Sequence, residues 1–288
     1  MSHFTVLVIG PDIEKQLQPF HEFECTGTND EHVQDVDVTE ECREHGLDWH
    51  GVEDKVVASE EEVDREGAHK YGYAVMRDGE LVKAVNRTNP NKQWDWWEVG
   101  GRWSGFFKLK PGADGELGRR GLMGSCRNEG PGHADSAMKG AIDFEAMRDV
   151  AGQAAGERYD RVHAVIAGRE FATWAQVREK HPGNIDAARA EYNAQPVVKD
   201  LSASELLGFL SGPAEYLVPR EDYVQAARTR AVQTFAVLKD GQWYERGSMG
   251  WWGCVSGEKN PGEWDREFAA LIDSLPDDTQ LTVVDCHI

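Results

Sequence analysis

Apolar, β-branched runs stand at both ends of this chain, and helical patterns fill the middle. His3 to Ile9 reads as a buried strand that stops at the turn Gly10-Pro11-Asp12. Leu281 to Val284 reads as a closing strand. A sheet fed from both ends leaves the middle as an insertion. The expected fold class is therefore α+β, an antiparallel-rich sheet built from both chain ends with an α-helical insertion. The expected division is residues 1–142 plus 233–288 for the sheet domain and 143–232 for the helical subdomain.

Local signals fill in this frame. Tyr71 to Met76 alternates, Asp78-Gly79 is a hairpin turn, and Leu81 to Val85 returns. Thr234 to Leu238, Asp240-Gly241 and Gln242 to Glu245 repeat that pattern. Each hairpin is followed by a tryptophan pair, Trp96-Trp97 or Trp251-Trp252. The echo is a shared turn chemistry or a duplicated β unit; duplication would bring the two pairs together. Phe20 to Cys25 reads as a strand or extended loop, and Trp103 to Leu109 as a strand. Helices are expected near 39–45, from Asp143 as N-cap, and over 173–181, 184–195 and 220–232. Another is expected over 202–211, with Ser202 and Glu205 as a capping box. Pro261 to Leu275 puts Trp264, Phe268, Leu271, Ile272 and Leu275 on one helical face.

Charge narrows the function classes. The 288 residues carry a net charge of −20. Residues 1–70 hold five basic and nineteen acidic residues, whereas 77–130 hold ten basic and seven acidic ones. So acidic a chain repels nucleic-acid backbones, and no direct nucleic-acid partner is expected. No run approaches the roughly 20 apolar residues of a membrane span. No basic segment precedes the first apolar run, so a cytoplasmic location and no membrane partner are expected. Five cysteines (Cys25, Cys42, Cys126, Cys254 and Cys286) with no CxxC predict free thiols rather than a disulfide framework or zinc ribbon.

The segment Trp94-Asp95-Trp96-Trp97-Glu98-Val99-Gly100-Gly101-Arg102-Trp103 is the most unusual one. It holds four of the ten tryptophans. Arg102 beside a glycine pair can grip an anion, and aromatics among Arg87, Lys92, Lys108, Lys110, Arg119 and Arg120 can stack a base. The candidate ligand-binding residues are Trp94, Trp96, Trp97, Arg102, Trp103, Trp251 and Trp252, under a Gly-rich lid at 112–132. The other assignment makes these tryptophans core and pairs Arg102 with Glu98 or Asp95. Neither a P-loop nor a dinucleotide fingerprint is present, so no cofactor is assigned.

Histidines offer a weaker pattern. If the first and last strands pair antiparallel, His3 and His287 share an edge with Asp285, and with His21 and Cys25 as further candidate ligands. No HExxH or HxH supports a metal there. Cys126 with His133 is a faint nucleophile pattern, and no GxSxG occurs.

The blocks MSHFTVLVIG, PFHEFECTG, NPNKQWDWWEVGGRWSG, IDFEAMRD and the closing MGWWGCVS and LTVVDCHI carry a resemblance over both ends of the chain. They resemble a family of uncharacterised proteins of tailed bacteriophages and prophages. The resemblance implies a phage-derived accessory protein acting inside a bacterium and transfers no catalytic residue. Two readings follow. In the first, Asp35, Asp37, Glu40, Glu41, Glu60, Glu61 and Glu62 form an acidic face that mimics phosphates and binds a host protein, inhibiting or redirecting it. In the second, the Trp/Arg/Gly segment holds a nucleotide-like small molecule as a binding protein or enzyme.

Overall fold

The computed structural model describes residues 2–22, 30–120, 130–207, 212–260 and 262–288. The fold is α+β, with antiparallel-rich sheets that draw on both chain ends. The chain divides into two compact units. One comprises Met1–Ala141, Thr234–Trp264 and Ser274–Ile288; the other comprises Ile142–Gln233 and Asp265–Asp273.

The first unit contains β1 (His3–Ile9), α1 (Ile13–Leu17), β2 (Gln34–Asp37), α2 (Thr39–His45), β3 (Val56–Val57), β4 (Gly72–Arg77) and β5 (Glu80–Thr88). It continues with β6 (Trp96–Gly101), β7 (Phe107–Lys108), β8 (Arg119–Arg120), β9 (His133–Ala134) and β10 (Ser136–Met138). The second unit supplies α3 (Phe144–Ile166), α4 (Trp174–Lys180), α5 (Ile185–Ala194), α6 (Pro196–Ala203) and α7 (Arg220–Arg230). The chain then returns through β11 (Ala236–Lys239), β12 (Gln242–Glu245), β13 (Ser248–Met249), β14 (Val255–Ser256), α8 (Glu263–Ser274) and β15 (Gln280–His287).

The large sheet has the order β12-β11-β1-β15-β6-β8, with β10 also on β15. β1 runs parallel to β11 and antiparallel to β15, and β6 runs antiparallel to β15. Alternation sorts the side chains. Phe4, Val6, Val8, Val284, Cys286, Ala236 and Leu238 form one core with Leu17, Phe20 and Trp94, and Trp97 and Val99 pack against it. The smaller sheet, β2-β5-β4-β3, buries Val36, Val38, Ala74 and Ala84 against Cys42 of α2. In the helical unit, Tyr159, Val162, Ile166, Val197, Leu201 and Tyr216 make the core. Gly152 and Gly156 let the Arg228 and Arg220 side chains of α7 lie close against α3. No helix among the described residues is long and apolar enough to cross a membrane.

Several local expectations meet the structure. Of the strand or extended loop read over Phe20 to Cys25, the described part is Phe20 at the end of a 3-10 turn and a single bridge from His21 to Trp94. The remainder of that segment, with Cys25, lies outside the described residues. The strand expected from Trp103 shrinks to Phe107–Lys108, since Gly100, Gly101 and Gly105 turn the chain with positive φ. The tryptophan segment is itself partly a strand, β6. Of the helix expected over 202–211, Ser202 and Ala203 instead end α6, which begins at Pro196; Ser202 Oγ donates back to Val198 O, Glu205 takes φ 56°, and residues 208–211 lie outside the described residues. The two echoing hairpins do share their turn conformation, with Asp78, Gly79, Asp240 and Gly241 all at positive φ. They lie in different sheets.

Candidate functional site

The pairing of β1, β15 and β6 sets out two rows of side chains at one end of the large sheet. His3 opposes His287, which opposes Trp96. One step further in, Thr5 opposes Asp285, which opposes Glu98. All six lie on the face opposite the Phe4–Val284 core.

Asp285 is 1% exposed in the middle of the sheet. A carboxylate there needs donors, because an unpaired buried charge is costly. His3 Nδ1 donates to Oδ1 at 2.8 Å, and the Arg102 backbone N–H donates to Oδ2 at 2.9 Å. His287 Nδ1 donates to Asp95 Oδ1 at 2.6 Å. A carboxylate only accepts, so each ring carries its proton on Nδ1 and keeps Nε2 for other partners. The rings of His3 and His287 lie 4.8 Å apart between centroids, and Trp96 meets His3 edge-on at 6.3 Å. Burial, and secondarily the neighbouring Asp285, raises the Glu98 carboxyl above its ordinary range.

The double glycine explains how the chain passes these carboxylates. A Cβ at Gly101 would sit 2.5 Å from the Asp285 side chain, and one at Gly100 would sit 2.4 Å from Asp135 Oδ2. Asp135, fully buried, accepts from the backbone N–H groups of Gly105 (2.7 Å), Phe106 (3.1 Å) and Gly118 (2.9 Å), and from Ser104 Oγ. The VGGRWSG stretch is thus wrapped around two buried carboxylates.

The tryptophan candidates separate. Trp94 is core, its indole donating to Leu17 O at 3.2 Å, and Trp97 packs on the same core. Trp96 is 44% exposed beside the histidines. Trp103 is half-buried in the turn after Arg102. Arg102 forms no ion pair with a described residue; Asp95 is engaged by His287 instead. Trp252 is 82% exposed and holds a left-handed backbone, φ 61° and ψ 23°, in the turn that also contains Trp251. That turn is pinned to the start of β1. Ser2 Oγ donates to Gly250 O at 2.8 Å and accepts from Gly253 N–H at 2.7 Å.

His21 lies tilted against Trp94 at 4.4 Å between centroids, with its Nε2 3.1 Å from Asp95 O. Among the described residues no three histidine, cysteine or acidic side chains converge to hold a metal ion. Cys126 lies outside the described residues, as do 121–129 of the Gly-rich stretch.

The acidic candidates sit around the smaller sheet, and most are engaged. Asp35 pairs with Arg65 and Arg87, Glu40 with Arg43, Glu41 with His50, and Glu60 with Lys83. Asp37 accepts from the Thr39 N–H and hydroxyl, which hold its carboxyl below the ordinary range. Glu62 accepts from Ala58 N–H. Glu61 has no side-chain partner among the described residues. Asp35 and Asp37 lie beside Arg87 and Val85 on one sheet face, whereas Glu40 and Glu41 belong to α2, whose Cys42 packs on the other face.

Asp95 and Glu98 were read from the sequence only as partners for Arg102, and Asp135 was missed. The glycine pair was the available signal, since adjacent glycines inside a strand imply a close approach. What the fold and site define is an α+β protein with an imidazole–carboxylate array on its large sheet. Compared with protein-family models, curated proteins and solved structures, the chain matches none.

Proposed function

We propose that the chain binds a small, planar, anionic ligand of the nucleotide class at the polar end of the large sheet, within a phage-derived accessory protein. The observation that carries this reading is an exposed indole, Trp96, edge-on to His3 beside the His3–His287 pair, with the backbone of Arg102, which forms no ion pair with a described residue, held on Asp285 between them. Stacking serves the planar part of such a ligand and a guanidinium fork serves its phosphate. Trp252 adds a second exposed indole, on a turn fastened to the residue before His3. A bulky residue at positive φ is strained, and strain of this kind concentrates where it is used.

The acidic-surface reading has less support. Six of its seven carboxylates are already engaged by cations or local donors, which lowers the field they offer a partner.

A thermal-shift screen of nucleoside mono-, di- and triphosphates, dinucleotides and cyclic nucleotides tests the proposal. One of them is expected to raise the melting temperature, by about 2.7 kcal/mol of stabilisation at a hundredfold excess over its Kd. Trp96→Ala and Arg102→Ala should each abolish that rise while leaving the unliganded melting temperature within a degree or two. Unfolding of the variants, or no shift with any nucleotide, overturns the reading.

A further inference from the structure

We propose that His3 and His287 form a general base and general acid pair that hydrolyses a phosphodiester bond in the nucleotide bound at this site. The inference rests on the ligand reading above and adds a reaction to it. Its geometric basis is the direct cross-strand opposition of the two imidazoles. Their ring centroids are 4.8 Å apart and each Nδ1–H is held by its own carboxylate, Asp285 or Asp95. This leaves both Nε2 atoms without a partner among the described residues. The side chains are 16% and 12% exposed, so solvent reaches them while most of each ring is fixed in place. Acid–base catalysis by such a pair uses one ring as the neutral base and the other as the imidazolium acid, each acting through its Nε2.

Nearby hydroxyls are committed elsewhere. Ser2 Oγ both donates to Gly250 O and accepts from Gly253 N–H, and Thr5 Oγ1 accepts from Phe235 N–H. Water is therefore the nucleophile. Its oxygen bonds to phosphorus as the neutral Nε2 takes its proton. The bond from phosphorus to the leaving alcohol oxygen breaks, and the imidazolium Nε2–H protonates that oxygen. The products are a phosphomonoester and an alcohol. The two rings end with exchanged protonation, and proton exchange with solvent resets them. Arg102 pairs with the non-bridging oxygens.

The test compares thymidylyl-thymidine, with an alcohol leaving group, and the p-nitrophenyl ester of thymidine 5′-phosphate, whose leaving group needs no proton. The purified protein should hydrolyse both. On the dinucleotide, His3→Gln and His287→Gln should each lower kcat by 10²–10⁴-fold. On the p-nitrophenyl ester, one variant should recover to within tenfold of wild type, which marks the acid, while the other stays impaired. Asp95→Asn, at an exposed position, should lower turnover about tenfold with the melting temperature unchanged. It serves if a histidine variant fails to fold. Nucleotide binding without turnover, or turnover indifferent to both histidines and to Asp95, overturns the catalytic proposal and leaves the binding proposal standing. Absence of both binding and turnover overturns both.

Discussion

Asp285 shows how one side chain orders its surroundings. It sits buried between β1 and β6, ties His3 to the sheet, and holds the turn at Arg102. Gly101 is the counterpart of that arrangement, with φ 52° and no room for a Cβ. Gly101→Ala should therefore lower stability by about 2–4 kcal/mol, combining backbone strain with overpacking. Gly79→Ala, at φ 84° with open space around it, should cost only about 1 kcal/mol. Urea unfolding of both variants checks this, and equal losses would remove the role assigned to the carboxylate. Glu98 gives a pH signature. Its folded carboxyl titrates above the ordinary 4.5, so ionisation is harder in the fold than in the unfolded chain. The Glu98 contribution to stability is accordingly lost as pH rises above 4.5 and through its raised folded value. Glu98→Gln should match wild type below that pH and be the more stable protein at pH 8, by thermal melts across the range.

At the scale of elements, caps and turns do much of the specification. Asp37 ends β2 and accepts from the first residue of α2. Its carboxyl is held below the ordinary 3.8 by those hydrogen bonds, so its stabilisation is present above pH 3.8 and disappears as pH falls through the lowered value. Asp37→Ala should cost about 1 kcal/mol at pH 7 and progressively less in acid, again by thermal melts. Helix N-caps were legible from spacing: Asp143 accepts from Ala146 N–H and Asn184 from Ala187 N–H, as their positions implied. Ser202 was misplaced because its hydroxyl satisfies itself on Val198 O within a helix begun earlier by Pro196. The strand β6 was missed because its tryptophans and glycines carry no clean alternation. Its register on β15 comes from burial of Trp97 and Val99 against Cys286 and Val284.

At the scale of the whole molecule, burial sorts the thiols. Cys286 is enclosed in the large-sheet core, where burial pushes its thiol well above the ordinary value; burial, then Glu41 and Asp48, raises that of Cys42. Cys254 is exposed. Alkylation followed by peptide mapping should modify Cys254 in the native protein, and Cys42 and Cys286 only with global unfolding. Early labelling of Cys286 would contradict a core shared by β1, β6 and β15.

The amino-acid sequence by itself determined what depends on near neighbours. The apolar runs, the Asp-Gly turns, the helix caps and the hydrophobic face of α8 all follow from contacts within a few residues. The α+β class followed from their order. Tertiary structure alone decided which polar groups meet. His3 and Asp285 are 282 positions apart, and their contact needs β1 and β15 to pair in one register. That register is set by the summed burial of Phe4, Val6, Val8, Val284 and Cys286, none of which carries the chemistry. The same holds for Asp95 on His287 and for Asp135 beneath Gly100. A carboxylate chooses its donors by proximity after the apolar core has closed, so a linear pattern records the residue types without recording the partners.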